Sequence, residues 1–277
     1  VLKSIQMEQK KRISFILILF TFNIFYGQDE TSKEERPNII LINIDDMGWK
    51  DVGFMGSKYY ETPTIDALAA EGMIFNQAYA AAANCAPSRA CLMSGENTPR
   101  HGVYTVNNSD RGKSKDRKLI PVKNNFTIDE NFLLLPEILK ENGYTTCHAG
   151  KWHITKDPKN QGFDVNIGGS HAGNPGSYYP PYKNVPSIQA SNNEYLTDIV
   201  MNMTLDFVNK NHRDPFFLYY SPYAVHTPIH PVKSLLDKYK SKPPSDGQNN
   251  PEYATMVENL DRNIGRLIRL LKEKKVY

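Results

Sequence analysis

The feature that most constrains the fold is an almost unbroken apolar run from Asn38 to Ile44, which ends in two carboxylates, Asp45 and Asp46. Such runs, rich in β-branched residues, are typical of strands buried on both faces of a sheet. Phe216 to Tyr220 is a second buried run, and Tyr144 to Ala149 is a further predicted strand. Because helical patterns separate these runs, the sequence predicts an α/β fold, a sheet flanked by helices. Ligands bind such sheets at the carboxyl ends of the strands, where Asp45 and Asp46 are expected.

The intervals between these runs carry helical and loop patterns. Apolar spacing and end signals predict helices over Thr62 to Glu71, Ser88 to Ser94, Leu133 to Glu141, residues 193–209 and Met256 to Leu271. A further strand is predicted at Met73 to Ala80. Residues 158–190 are rich in Gly, Pro, Asn and Tyr, which indicates a long structured loop. Loops of this length inside a compact domain are usually functional.

The first 27 residues have the pattern of a secretory signal peptide. Lys10, Lys11 and Arg12 precede an apolar run from Ile13 to Phe22, which is too short to span a bilayer. We therefore expect an exported protein, periplasmic or secreted, with no stable membrane insertion; an uncleaved anchor is the alternative. Residues 28–36 are expected to form a polar spacer before a domain that covers 37–277.

Charge and cysteine content limit the remaining possibilities. The chain has 33 basic and 30 acidic residues, and the excess lies within residues 1–27, so the body is neutral and no nucleic-acid partner is expected. Its three cysteines are Cys85, Cys91 and Cys147. An odd number in an exported protein means that at least one is unpaired or modified.

The segment from Cys85 to Gly95 matches the pattern C-x-P-S-R-x-x-L-x-x-G at every specified position. Three other landmarks accompany it: the Asp45-Asp46 pair, Gly-Lys-Trp-His at 150–153 and Val-His-Thr-Pro at 225–228. In this order they resemble the type I sulfatases, over about residues 36–277. The resemblance implies an alkaline-phosphatase/sulfatase-like sheet and the hydrolysis of sulfate esters, with a sulfated carbohydrate or an aryl sulfate as substrate.

The resemblance also implies a modified nucleophile. In this family the motif cysteine is converted to formylglycine (3-oxoalanine) by a formylglycine-generating enzyme, which would be a partner of this chain and would modify Cys85. In similar enzymes one hydroxyl of the hydrated aldehyde attacks sulfur and the alcohol departs. The other hydroxyl then loses its proton and expels sulfate, which regenerates the aldehyde. The resemblance also implies roles for four further residues. Arg89 would hold the ionised diol and Lys151 would contact the sulfate. His153 would form a hydrogen bond with formylglycine, and His226 would contact the sulfate or protonate the leaving oxygen.

A metal site is implied in the same way. Asp45, Asp46 and the modified Cys85 would hold Ca²⁺, which prefers oxygen ligands. Taken alone, these residues have other interpretations. Asp45-Asp46 could be a solvated turn at a strand end, and Cys85 could be an ordinary small buried residue.

Candidate substrate contacts lie in the long loop. His171, Tyr178 and Tyr179 could bind a sugar ring by stacking, or the tyrosines could be packing that holds an irregular loop together. The sequence leaves both interpretations open.

The sequence departs from the family pattern at its C-terminal end, Tyr277. Relatives continue into a strand that ends in an Asp-Asn pair completing the metal site, then a later Lys and a smaller domain. We therefore expect a catalytic domain that is incomplete at its C-terminus. The alternatives are a non-catalytic fragment that binds sulfated ligands and a formylglycine phosphodiesterase of the same superfamily.

Overall fold

Four short parallel strands form the sheet that positions the candidate site, in the computed structural model that describes residues 36–185, 187–189 and 193–277. They are β1 (Ile39–Ile42), β2 (Thr145–Gly150), β3 (Val165–Ile167) and β4 (Phe216–Ser221). Their order across the sheet is β1-β4-β2-β3. Register pairs Ile42 with Tyr220 on one side of β4, and Gly150 with Ser221 on the other. The carboxyl ends of β1, β4 and β2 therefore lie side by side.

Seven α-helices are present in the described part of the chain. They are α1 (Pro63–Glu71), α2 (Cys85–Ser94), α3 (Thr98–His101), α4 (Leu135–Glu141), α5 (Leu196–Asn211), α6 (Lys233–Ser241) and α7 (Pro251–Lys274). Short 3₁₀ helices occur at Gly53–Met55, Ser114–Asp116 and Pro158–Gln161. The residues from Asn38 to Tyr277 form one compact unit. Among the described residues, no helix is both long and apolar enough to cross a membrane.

The core lies on both faces of the sheet, as the apolar runs predict. All six residues of β4 are buried. Side chains that alternate along this strand enter different clusters: Phe216, Leu218 and Tyr220 on one face, Phe217 and Tyr219 on the other. The predicted α/β architecture, a sheet flanked by helices, is thus confirmed, and the structure shows that the sheet is parallel.

One predicted strand is wrong. Met73 to Ala80 forms turns and irregular backbone, with Met73, Phe75 and Tyr79 more than two-thirds exposed. A strand forms only where a neighbouring edge accepts its backbone hydrogen bonds, and no strand pairs with this segment within the described residues. The long loop predicted at 158–190 also contains a 3₁₀ turn and β3.

The predicted signal peptide, residues 1–27, lies outside the described residues. The same is true of all of the predicted spacer except Arg36.

A buried carboxylate fastens α7 to the start of α1. Asp261, 1 % exposed, accepts hydrogen bonds from the backbone N–H groups of Thr64 (3.1 Å) and Ile65 (2.8 Å). These donors belong to the first turn of α1, where the helix has no internal acceptors. The side chain of Thr62, the N-cap residue, makes no capping bond; it accepts from the N–H of Gly53 and donates to Asp66. The long C-terminal helix therefore holds the helix that follows β1.

We expect Asp261→Ala to destabilise the protein by about 1–3 kcal/mol, because two buried backbone donors lose their acceptor. Urea unfolding followed by circular dichroism measures the effect. Asp206→Ala, at an exposed position of α5, is the control and should change the free energy of unfolding by less than about 0.5 kcal/mol. Equal stability of the two variants would show that the Asp261 contacts contribute nothing.

Candidate active site

The candidate site lies where β1, β4 and β2 end. Asp45 and Asp46 follow β1, Lys151 follows β2, and Ser221 is the last residue of β4. Helix α2 begins with Cys85 and supplies Arg89 one turn later. These residues are far apart in sequence, and the parallel sheet brings them together.

Gly150 allows β2 to turn towards the site. Its φ is 110°, and a Cβ at this position would overlap the carbonyl of Ser221, so a side chain cannot be accommodated. The backbone N–H of Lys151 donates to that same carbonyl over 2.6 Å. The glycine before the motif lysine is thus required for Lys151 to enter the site at this angle.

A single carboxylate oxygen joins the two buried cations. Asp45 Oδ2 lies 3.0 Å from Arg89 Nε and 2.9 Å from Lys151 Nζ. The side chains of Arg89 and Lys151 are 1 % and 0 % exposed. Asp46 Oδ2 lies 3.4 Å from Lys151 Nζ and is more exposed. We call Asp45, Asp46, Arg89 and Lys151 the charge cluster.

Further hydrogen bonds fix the guanidinium of Arg89. Its Nη1 donates to the Lys151 carbonyl (2.5 Å) and to Ser221 Oγ (2.6 Å). The sequence alone did not identify Ser221 as a site residue. Its only signal is its position directly after the apolar run of β4. Within the described part of the chain, Arg89 Nη2 is buried without a hydrogen-bond partner. A donor in that situation can bind an anionic or polar group that enters the site.

The charge cluster sets the ionisation of Asp45. Burial by itself raises the pKa of this carboxyl, but the adjacent Arg89 and Lys151 charges and their hydrogen bonds outweigh it, so the pKa lies below the ordinary value. Asp45 is therefore a carboxylate at neutral pH. Burial by itself lowers the pKa of Arg89, but Tyr219 and Asp45 raise it by more. The pKa therefore lies above its ordinary value, and the guanidinium stays charged.

His153 lies beside the cluster in an unusual backbone conformation. Its φ is 62°, in the left-handed region that non-glycine residues rarely occupy, and its N–H donates to the Ser170 carbonyl (2.9 Å). The ring is 8 % exposed, and its Nδ1 has no partner among the described residues. Burial, and then the nearby Lys151 and Arg89 charges, lower the pKa of His153 to about 3, so the imidazole is neutral at pH 7.

Cys85 is the first residue of α2 and is a free, partly exposed thiol. Helix N-termini carry a partial positive charge that favours anions, and Cys85 is among the groups that interact electrostatically with Arg89. The other cysteines, Cys91 and Cys147, are buried and free. The motif glycine, Gly95, has a structural role: with φ 69° it caps α2 by donating its N–H to the Cys91 carbonyl.

The remaining predicted site residues differ in position. His171 is exposed and its ring centroid lies 5.9 Å from that of His153, so it borders the site. The Nδ1 of His226 lies 2.6 Å from the Thr227 carbonyl. No hydrogen bond or ion pair joins His226 to the charge cluster in the described part of the chain.

Tyr178 cannot stack on a sugar ring, because it has no exposed surface. Its hydroxyl donates to the carbonyls of Tyr223 (2.6 Å) and His226 (2.9 Å), and its ring stacks on Tyr195. The packing interpretation therefore describes this residue. Tyr179 is half-buried and its hydroxyl donates to the Pro231 carbonyl over 3.0 Å.

The carboxylates suit calcium but supply only part of its shell. Asp45 and Asp46 present hard oxygen donors at the sheet edge, whereas Ca²⁺ takes about six to eight oxygen ligands. Among the described residues, no group of three or more His, Cys, Asp or Glu could hold a metal ion. Asp45 and Asp46 are therefore the oxygen donors that this edge of the sheet offers to a cation.

A buried histidine supports the backbone of the site. His148 in β2 is fully buried among Trp152, Phe163 and Tyr219, with its Nε2 3.2 Å from the Lys151 carbonyl. Burial lowers its pKa to about 3. The ring is neutral at pH 7, and because a carbonyl only accepts hydrogen bonds, Nε2 carries the proton.

This depressed pKa predicts acid sensitivity. Between pH 6.5 and 3 the unfolded chain binds a proton at His148 that the native state does not, so stability falls as the pH is lowered through this window. Each such histidine contributes up to about 1.4 kcal/mol per pH unit. We expect His148→Asn to flatten this slope in urea unfolding between pH 6.5 and 4. His212→Asn, at the surface, is the control; identical slopes for both variants would contradict the assignment.

Comparison with known proteins adds the family relationship. The sulfatase family model matches residues 37–277. The chain is 32 % identical to human N-acetylgalactosamine-6-sulfatase, covering 90 % of this chain and 49 % of that protein. It is 30 % identical to a sulfatase of Formosa agariphila, covering 96 % and 59 %. The chain thus spans about half the length of the first of these relatives.

Solved structures of similar proteins also match this chain. The crystal structure of Ps i-CgsB matches with a TM-score of 0.70 and 32 % identity, covering 88 % of this chain and 56 % of that one. The same protein has also been solved in complex with k-i-k-neocarrahexaose, a match with 33 % identity.

Proposed function

The chain belongs to the sulfatase family, and from that premise we propose that its protein hydrolyses sulfate esters of a carbohydrate, with residue 85 as the nucleophile. Sulfatases are sulfuric ester hydrolases. The observation that carries the proposal is the charge cluster, in which the two motif cations meet a carboxylate beside the start of α2. A purely structural role would not require two buried cations and a carboxylate to lie together at this position.

The two buried cations account for anion binding. A sulfate ester is negatively charged, and its charge spreads over the oxygens as the ester bond breaks. Lys151 supplies a mobile ammonium and Arg89 a fixed guanidinium with one unpartnered nitrogen. In a site shielded from water, such fixed positive groups stabilise developing negative charge more strongly than they would in solvent. Asp45 keeps both groups in place in the absence of substrate.

Residue 85 is proposed to carry formylglycine, which supplies a nucleophilic oxygen when hydrated. Its position at the N-terminus of α2 favours an anionic oxygen there. Arg89 follows one turn later, on the same helix face. The modification requires a formylglycine-generating enzyme as a partner.

His153 and the two aspartates complete the proposed assignments. His153 is neutral at pH 7 and can accept a proton or donate a hydrogen bond at an oxygen bound to residue 85. Asp45 and Asp46, with the modified residue 85, would hold calcium, which supplies a Lewis-acidic charge when bound. His226 remains a proposed contact to the sulfate or the leaving oxygen.

Two observations support a carbohydrate substrate. Human N-acetylgalactosamine-6-sulfatase is named for an amino-sugar sulfate, and the solved relative was captured with an oligosaccharide. In this chain, His171 is exposed beside His153 and Tyr179 is half-buried, so both are candidates to contact a sugar. Export through residues 1–27 would place the enzyme where polysaccharides are degraded, in the periplasm or outside the cell.

Modification of Cys85 is directly testable. After co-expression with a formylglycine-generating enzyme, peptide mass spectrometry should find residue 85 lighter than cysteine by about 18 Da, the change from a thiol to an aldehyde. Cys91 serves as the internal control, because it lies in the same peptide at an unspecified position of the motif and should remain a thiol. An unmodified Cys85, under conditions that convert a known sulfatase, would refute the assignment.

Turnover can be tested in a chimera that joins the unmatched part of the 32 % identical solved relative after Tyr277. With formylglycine installed and millimolar calcium, it should release sulfate from sulfated oligosaccharides, whereas the 277-residue chain should release almost none because its calcium shell is incomplete. Lys151→Ala should lower the rate of the chimera by about 10²–10³, as expected when one preorganised charge contact is lost. Ion chromatography measures the sulfate.

Lys140→Ala is the matched control for this experiment. Lys140 pairs with Asp164 at the surface over 2.7 Å, so its loss should leave the rate nearly unchanged. Near-normal turnover by Lys151→Ala would contradict the proposed role of the charge cluster. Hydrolysis of a phosphate diester in preference to every sulfate ester would favour the phosphodiesterase alternative.

A further inference from the structure

A strongly basic loop has no role in the proposed chemistry. Residues 107–123, which we call the basic loop, contain six basic and two acidic side chains, a net charge of +4, although the body of the chain is neutral. Its four lysines are exposed, and within the described residues their ammonium groups form no ion pair and no hydrogen bond. They are Lys113, Lys115, Lys118 and Lys123.

The two arginines of the basic loop hold its backbone. Arg111 Nη1 donates to the Asn108 carbonyl over 2.8 Å. Arg117 donates through Nε to the Arg111 carbonyl and through Nη2 to the Gly112 carbonyl, each over 3.1 Å. Arg117 also pairs with Asp110 over 3.5 Å. The arginines therefore organise the loop, and the lysines remain available to a ligand.

Hydrogen bonds join the base of the basic loop to the residue that precedes Cys85. The carboxamide of Asn124, 6 % exposed, accepts from the N–H of Thr105 (3.1 Å). It donates to the carbonyls of Thr105 (3.1 Å) and Asn107 (2.8 Å), and so ties the two ends of the loop together. Asn84 Nδ2 in turn donates to Thr105 Oγ1 over 2.9 Å. Asn84 is exposed and Cys85 is partly exposed, so the loop begins and ends beside the accessible start of α2.

The charge and the position of the basic loop select a sulfated polysaccharide as its ligand. Such a polymer carries negative groups along its whole length. When one of its sulfate esters lies at residue 85, the neighbouring sulfates lie over the surface around the start of α2. Lysine ammonium groups on flexible stems bind anions as point charges and do not demand one fixed geometry. A cluster of them raises the local concentration of an anionic ligand and its rate of association.

An anionic membrane is the other ligand that this composition suits. Leu119 and Ile120, next to Lys118, are 84 % and 97 % exposed, and basic segments with exposed apolar side chains bind anionic lipid. The hydrogen bond from Asn84 favours the polysaccharide. A membrane anchor does not require attachment at the start of α2, whereas a polymer bound at residue 85 has to cross the adjoining surface.

We propose that the basic loop binds sulfate groups of a polysaccharide outside the sugar whose ester is cleaved, and so retains the polymer at the site. The sulfated substrate is that of the proposed function, on which this inference rests. The four lysines take no part in breaking the ester bond. Their loss should therefore affect a polymeric substrate and leave a small sulfate ester unaffected.

Binding can be measured on the 277-residue chain with Cys85 unmodified, by the fluorescence anisotropy of labelled dextran sulfate at increasing NaCl concentration. The loop variant replaces all four lysines of the basic loop by Gln. We expect it to bind about tenfold or more weakly at low salt, with a shallower salt dependence, because fewer charges are left to be screened. Unsulfated dextran should not bind.

The matched control replaces four exposed lysines outside the basic loop by Gln, which changes the net charge by the same amount. Within the described residues these lysines form no ion pair, and the control should bind dextran sulfate nearly as tightly as the unchanged chain. They are Lys58, Lys159, Lys210 and Lys240.

The chimera separates retention of the polymer from the chemistry. In the chimera, the loop variant should have a higher KM for a sulfated polysaccharide and an unchanged kcat for a monosaccharide sulfate. Acetylation with N-hydroxysuccinimide acetate, followed by mass spectrometry, should modify the four lysines of the free chimera. Dextran sulfate should slow that modification several-fold.

Three outcomes would overturn the proposal. The loop variant and the control could bind dextran sulfate equally well. The four lysines could resist acetylation in the free chimera, which would show that another part of the protein covers the loop. The chain could prefer phosphatidylserine vesicles or double-stranded DNA to dextran sulfate. Binding needs no turnover, so sulfate release by the chimera tests the proposed function separately.

Discussion

The shared carboxylate of Asp45 is the interaction on which the site depends. Arg89 and Lys151 are both buried, and a buried charge without a partner is strongly unfavourable. Because one oxygen contacts both cations, Asp45 offsets their desolvation and fixes their separation. Asp45 follows β1, Arg89 lies in α2 and Lys151 follows β2. The cluster therefore couples the ends of two strands to the helix that carries Cys85.

Backbone geometry aims these side chains. Asp46 and His153 both have positive φ, at 63° and 62°, and Gly150 has a φ of 110°. In each case the chain turns at the end of a strand or within four residues of it, so side chains that would point to opposite faces of a strand are redirected to one edge. Asp tolerates the left-handed region because its short polar side chain can bond locally. For His153 the strain is held by the surrounding structure, a common property of functional sites.

The sequence predicted the elements whose signals are local or carried by a motif. Buried runs such as Phe216 to Tyr220 predicted the sheet, Asp45 follows such a run directly, and Lys151 was expected from the family resemblance. It missed His148, because a histidine within a strand pattern is not distinctive, and Ser221, whose only signal is its position directly after an apolar run. Tyr178 was ambiguous for a different reason: a tyrosine in a loop has the same composition whether its ring is exposed or packed. Only the tertiary contacts separate these cases.

The failed strand at Met73 to Ala80 is informative in another way. A helix satisfies its own backbone, so its pattern is sufficient for it to form once one face is covered, whereas a strand depends on an edge that another segment provides. The pattern at residues 73–80 is thus typical of a strand, but the described residues provide no edge with which it can pair. Its apolar side chains line a cleft that Ile44 and Met47 also line. The backbone between these two residues carries Asp45 and Asp46, so the cleft and the charge cluster share one segment of the chain.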